Sequence, residues 1–82
     1  MYQVRIERPA VKKIEKIPEP DYSRVKEAIL SLAEDPRPYG YIKLKGREAY
    51  RIRQGNYRVI YEIHEKILTV IVVDAGHRKD IY

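Results

Sequence analysis

Hydrophobic and polar residues alternate most strictly around Gly55-Asn56, through Arg51-Ile52-Arg53-Gln54 before it and Tyr57-Arg58-Val59-Ile60-Tyr61 after it. A period of two on both sides of a Gly-Asn dipeptide predicts two antiparallel strands joined by a tight hairpin. A two-residue loop pairs Gln54 with Tyr57, Arg53 with Arg58, Ile52 with Val59, and Tyr50 with Tyr61. Successive strand side chains point to opposite faces, so Tyr50, Ile52, Val59 and Tyr61 share one face. Arg51, Arg53 and Arg58 share the other.

The pattern elsewhere supplies what packs on that apolar face. Tyr2, Val4 and Ile6 alternate with Gln3 and Arg5, which predicts a strand over residues 2–6 with one buried face. Pro9 suits the first turn of a helix, and Ala10, Ile14 and Ile17 follow at helical spacing with Val11 beside them. Pro18-Glu19-Pro20 stops this helix, and Asp21 is the expected cap of a second, with Tyr22, Val25, Ile29 and Leu32 on one stripe. That helix is expected to run to Asp35-Pro36, because the residue before proline is pushed out of helical geometry. Residues 36–46, with two prolines and two glycines, read as a mobile connector carrying Lys43 and Lys45. After the hairpin, a tight turn at Glu65-Lys66 leads to a last strand over residues 67–75. Its expected register sets Leu68, Val70 and Val72 beside Ile63, Tyr61 and Val59. Ile60, Ile67, Ile71 and Val73 then form an apolar floor near the arginines. The order β-α-α-β-β-β predicts an α+β domain over residues 1–82, a helical hairpin packed on one face of a small, mainly antiparallel twisted sheet.

Charge changes the picture through its location. Of the formal net charge of +5, residues 42–58 hold six Lys/Arg (Lys43, Lys45, Arg47, Arg51, Arg53 and Arg58) against Glu48 alone. The other 65 residues hold eleven of each sign, so the whole excess sits in one segment, as a polyanion footprint does. Arg53 directly across from Arg58 destabilises a sheet by up to about 1 kcal/mol, which points to an anion bound there. Cysteine is absent, which excludes disulfides and thiolate metal sites and fits a reducing cytoplasm. No secretory leader is read in the sequence, and the longest apolar run is too short to span a bilayer, so no membrane partner is expected. No Gly-rich phosphate loop, metal-ligand cluster or Ser/His/Asp set is present, and no cofactor is expected.

Three motifs in order, Lys43-Leu44-Lys45-Gly46, the Tyr50–Ile63 hairpin and Gly76-His77-Arg78-Lys79-Asp80-Ile81-Tyr82, resemble the RelE/ParE toxin superfamily. The resemblance covers nearly the whole chain. It implies the toxin of a type II toxin–antitoxin pair, of the RelE branch, which cuts messenger RNA on the ribosome; the ParE branch instead poisons DNA gyrase. A RelB-like antitoxin in a heterodimer or heterotetramer, the ribosome and mRNA are the implied partners, with DNA reached only through the antitoxin.

By motif position, Arg51, Arg53, Arg58, Arg78 and Tyr82 occupy the places that hold the scissile phosphate in the RelE branch. Lys43, Lys45, Arg47 and Lys79 are the expected RNA or ribosome contacts. The chemistry is metal-independent attack of the RNA 2′-hydroxyl on the adjacent phosphorus. Arginine forks match phosphate oxygens but stay protonated, and so are poor general bases. Well-known RelE enzymes have lysines where this chain has Arg51 and Arg53. His77, whose ordinary pKa lies near neutrality, is the expected substitute base. The bland readings are solvated strand arginines, a loop histidine at His77, a turn histidine at His64, and core or rim packing for Tyr50, Tyr57 and Tyr61. A general RNA-binding module is a further alternative, disfavoured because no exposed aromatic run is predicted beside the basic patch.

Overall fold

The computed structural model describes residues 1–79. The elements in chain order are β1 (Gln3–Ile6), α1 (Arg8–Glu15), α2 (Asp21–Ser31), β2 (Ile42–Lys43), β3 (Tyr50–Gln54), β4 (Tyr57–His64) and β5 (Thr69–His77). They form a five-stranded sheet in the order β1-β5-β4-β3-β2, parallel between β1 and β5 and antiparallel elsewhere. The α+β architecture is as expected, with one strand more: β2 lies within the presumed connector. Its two residues are too few to show a period, and only pairing with Arg51 and Tyr50 makes them a strand.

Both helices lie on one face of the sheet. Ala10, Ile14 and Ile17 from the first helical segment and Val25, Ile29 and Leu32 from the second meet Ile52, Val59, Tyr61, Val70, Val72 and Ala75. Pro9 stands in the first turn of α1, where its missing N–H costs nothing. Asp21 does not cap α2. The Glu19 carboxylate does, accepting the Ser23 backbone N–H at 3.0 Å and the Ser23 hydroxyl at 2.8 Å. Regular α2 ends at Ser31, earlier than expected. The chain tightens there through i→i−3 bonds from Leu32, Ala33 and Glu34, and these satisfy carbonyls at the helix end before Pro36 is reached.

The hairpin has the expected register, Gln54↔Tyr57 through Tyr50↔Tyr61. Gly55 has φ +60, the first central position of a II′ turn that only glycine takes without strain. The β4–β5 register departs from expectation in two places. The chain reverses through a 3-10 turn, Glu65–Ile67, with Leu68 left-handed at φ 48, so β5 starts later than predicted. Val70 therefore sits beside Ile63 and Val72 beside Tyr61, while Leu68 is 52% exposed rather than in the core. The slip of two residues preserves the faces, because the strand period is two. Further along, Tyr61 pairs with Val72 but Ile60 with Asp74, leaving Val73 as the extra residue of a bulge. The Asp74 carboxylate holds this irregularity by accepting the Ala75 N–H at 2.9 Å and the Lys13 ammonium of α1 at 2.8 Å.

Candidate functional site

Cross-strand partners project to the same face, so the ladder sorts the candidate residues. Arg53 lies opposite Arg58, and Arg58 lies opposite Gly76 on its other side. Arg51 lies between Ile42 of β2 and Ile60 of β4. Ile60 is only 7% exposed and forms the apolar floor of this face. Arg53 is exposed, whereas Arg51 and Arg58 are partly buried, with stems laid along the sheet. Gly76 brings no side chain beside Arg58.

The bulge at Val73 decides which tail residues join this face. In unbroken alternation from Val70 and Val72, Gly76 would fall on the helix side and His77 with the arginines. The extra residue reverses that order. His77 pairs with Tyr57, its ring 5.4 Å from the Tyr57 ring and edge-on to it, and its Nδ1 accepts the Lys79 N–H at 3.2 Å. His77 therefore does not share a face with Arg53 and Arg58, contrary to the expectation that made it a base beside them. Arg78 follows just past β5, its N–H donating to the Asn56 carbonyl of the hairpin turn at 2.8 Å. Tyr82 lies outside the described residues.

The lysines separate in the same way. Lys43 pairs with Tyr50, on the helix side, and its ammonium is 3.3 Å from the Glu48 carboxylate. Lys45 and Arg47 are exposed in the turn between β2 and β3, and Lys79 is exposed at the end of β5. These four ring the sheet rather than join the arginine cluster.

The connector is anchored, not mobile, over its first half. The buried Tyr61 hydroxyl donates to the Pro36 carbonyl at 2.7 Å, and burial pushes the Tyr61 pKa up, so it remains a donor. Arg37 donates to Glu65 at 3.0 Å and lies 5.6 Å from the centre of the Tyr50 ring. Glu65 also accepts the Tyr2 hydroxyl at 2.7 Å; these two hydrogen bonds hold its carboxyl below the usual range. Tyr41, Tyr50 and Tyr61 follow one another at ring separations of 6.0 and 5.9 Å. Beyond them, Tyr39 is fully exposed. It lines an open cleft of about 620 Å3 together with Arg51, Arg53, Ile42 and Ser31. An exposed aromatic residue thus stands beside the basic patch after all. The only sequence signal for it is the Pro38-Tyr39-Gly40 turn.

Among the described residues, no group of three or more His, Asp or Glu is placed to hold a metal ion, and no helix is long and apolar enough to cross a membrane. What the arrangement offers is fixed guanidinium charge on a rigid sheet, suited to an anion with several oxygens.

A model of the ParE toxin of the type II toxin–antitoxin system parDE matches residues 4–82, and the chain belongs to that family. Solved structures carry the same fold. The archaeal RelE–RelB complex from Pyrococcus horikoshii is 32% identical with a TM-score of 0.84, the match covering 96% of this chain and 97% of that one. The RelBE2 toxin–antitoxin complex from Mycobacterium tuberculosis is 26% identical with a TM-score of 0.83, covering 94% and 98%. The RelB–RelE complex from Methanococcus jannaschii is 29% identical with a TM-score of 0.77, covering 95% and 94%. No curated protein matches the sequence. The chain is the toxin of a type II toxin–antitoxin system.

Proposed function

We propose that this toxin is a ribosome-dependent endoribonuclease that cleaves mRNA within the cytoplasm and is silenced by a RelB-like antitoxin. The observation that carries the reading is the like-charge pair Arg53–Arg58 near the turn end of the hairpin, with Arg51 on the same face and Arg78 bound through its N–H to the Asn56 carbonyl of the turn. In this reaction the 2′-oxygen forms a bond to phosphorus as the bond from phosphorus to the 5′-oxygen breaks. The 2′-hydroxyl loses a proton, the 5′-oxygen gains one, and a cyclic phosphate and a 5′-hydroxyl result. Charge accumulates on the phosphorane oxygens, where preorganised donors act most strongly. Arg58 and Arg78 supply that charge without a metal, while Arg51 and Arg53 hold the flanking backbone in line. None of the four exchanges protons at ordinary pH. With His77 turned toward Tyr57, the proton leaves through Tyr82, water or the ribosome.

The antitoxin reading rests on a second surface. Ile6, Val11, Ile14, Tyr22, Ile29 and Leu30 line a mainly apolar groove between the two helices beside the end of β1, with Leu30 more than half exposed. The structural relatives described above were solved as RelE with RelB, and an amphipathic acidic segment that folds on binding suits both this groove and the cationic face.

A second reading is favoured by the family match itself, since the matching model is that of ParE. In that case the protein poisons gyrase and the arginines serve antitoxin binding. Purified ribosomes programmed with a message, and a gyrase supercoiling assay run in parallel, separate the two. Cut message with unimpaired supercoiling is the expected result; intact message with blocked supercoiling would replace the nuclease by the gyrase poison.

A further inference from the structure

The cleft beside Arg51 and Arg53 contains a side chain that the fold does not use. Tyr39 is fully exposed, yet the turn that bears it is built rigidly. Residues 38–41 form a type II turn closed by the Tyr41 N–H donating to the Pro38 carbonyl at 3.0 Å, with Gly40 at φ +89 in the position that requires it. One end of the turn is fixed through Pro36 to the Tyr61 hydroxyl and through Arg37 to Glu65 and Tyr50. The other is fixed by the ring contact of Tyr41 with Tyr50. Tyr39 occupies the first corner position, which points its ring outward. A flexible loop would lose most of the gain from binding to the cost of ordering; this one has little left to order.

The surroundings indicate what such a ring would meet. The cleft of about 620 Å3 runs between Ala28 and Ser31 of α2, the turn, and the edge of β3 beyond the end of β2. That volume lies within the roughly 300–1,000 Å3 of small-molecule sites. Arg51 and Arg53 line the cleft along the β3 edge and Tyr39 offers an exposed aromatic plane on another side, matching the two halves of a nucleotide. We propose that Tyr39 is a stacking platform for an unpaired nucleobase, seated in this cleft with its adjoining phosphates on Arg51 and Arg53. The inference deepens the ribonuclease reading and rests on it for the identity of the RNA as message. Stacking is tolerant of sequence because every base has a π-face, so Tyr39 contributes affinity rather than a choice of base.

Two measurements test it. In single-turnover cleavage on programmed ribosomes, Tyr39→Ala is expected to raise the half-saturating toxin concentration roughly five- to hundredfold. The saturating rate and the antitoxin affinity should hold, and Tyr39→Phe should restore binding. The ring makes no contact on which folding depends, so the melting temperature should also be unchanged. Separately, Tyr39→Trp introduces the sole tryptophan of the chain. Titration with a short oligouridylate should quench its fluorescence saturably. Quenching without ribosomal cleavage would defeat the nuclease reading and leave the nucleobase subsite standing. Cleavage that is indifferent to Tyr39→Ala, absent quenching, or a loss of antitoxin binding alone would overturn the subsite.

Discussion

The two faces of the β3–β4 hairpin come from one stretch of alternating residues and behave as opposites. On the helix side, Ile52, Val59 and Tyr61 are buried against both helices, and the Tyr61 hydroxyl is spent on the Pro36 carbonyl. Every group there is accounted for by the fold. On the other side, Arg53 and Arg58 stand opposite one another over the apolar floor of Ile60. The two are of like charge, a pairing that carries its own cost in a sheet. The proposed function gives that broken local rule a use, as a surface for an anionic substrate.

Substitutions should therefore separate stability from activity according to face. The largest stability effect is expected inside: Ile29→Ala, at a position only 1% exposed, should cost about 2–5 kcal/mol in denaturant unfolding. On the opposite face, Arg53→Thr should make the protein more stable, by up to about 1 kcal/mol, because it removes a like-charge pair. Reduced stability of that variant would show that Arg53 serves the fold, and the contrast between faces would fail.

The smallest expected effect is one of pH and belongs to the tie between β1, the connector and the β4–β5 turn. Hydrogen bonds from Tyr2 and Arg37 hold the Glu65 carboxyl below its unfolded value near 4.5. A depressed carboxylate stabilises the fold above its unfolded pKa, and the contribution is lost as pH falls through the folded one. The melting temperatures of the native protein and of Glu65→Gln should differ slightly at neutral pH and converge once the pH has fallen below the ordinary carboxylate range. A gap that persists in acid would remove the carboxylate's charge from the explanation.

Much of this contrast was legible in the sequence, and the parts that were not share a cause. The hairpin could be read because a Gly-Asn turn and a period of two fix register and faces together. The β4–β5 register could not, because Leu68 adopts positive φ without being glycine and lengthens the turn. The Val73 bulge is equally silent in the sequence, being stabilised by Lys13 from a distant helix. That single residue turns His77 away from the arginines and puts Gly76 beside Arg58, so the least legible feature of the chain decides which tail residues share their face. Tyr39 was missed for a different reason: apart from the Pro38-Tyr39-Gly40 turn, nothing in its neighbourhood sets it apart from the packed tyrosines of the chain.

Arg58 offers the most direct test of the account, since it lies on a central strand between Arg53 and Gly76. Single-turnover cleavage of a programmed ribosomal complex by Arg58→Ala should be slower by roughly 10²–10³, the usual loss for one preorganised charge donor, with little change in ribosome binding. An unchanged cleavage rate in a folded, ribosome-bound Arg58→Ala protein would contradict the assignment of this face to phosphate chemistry.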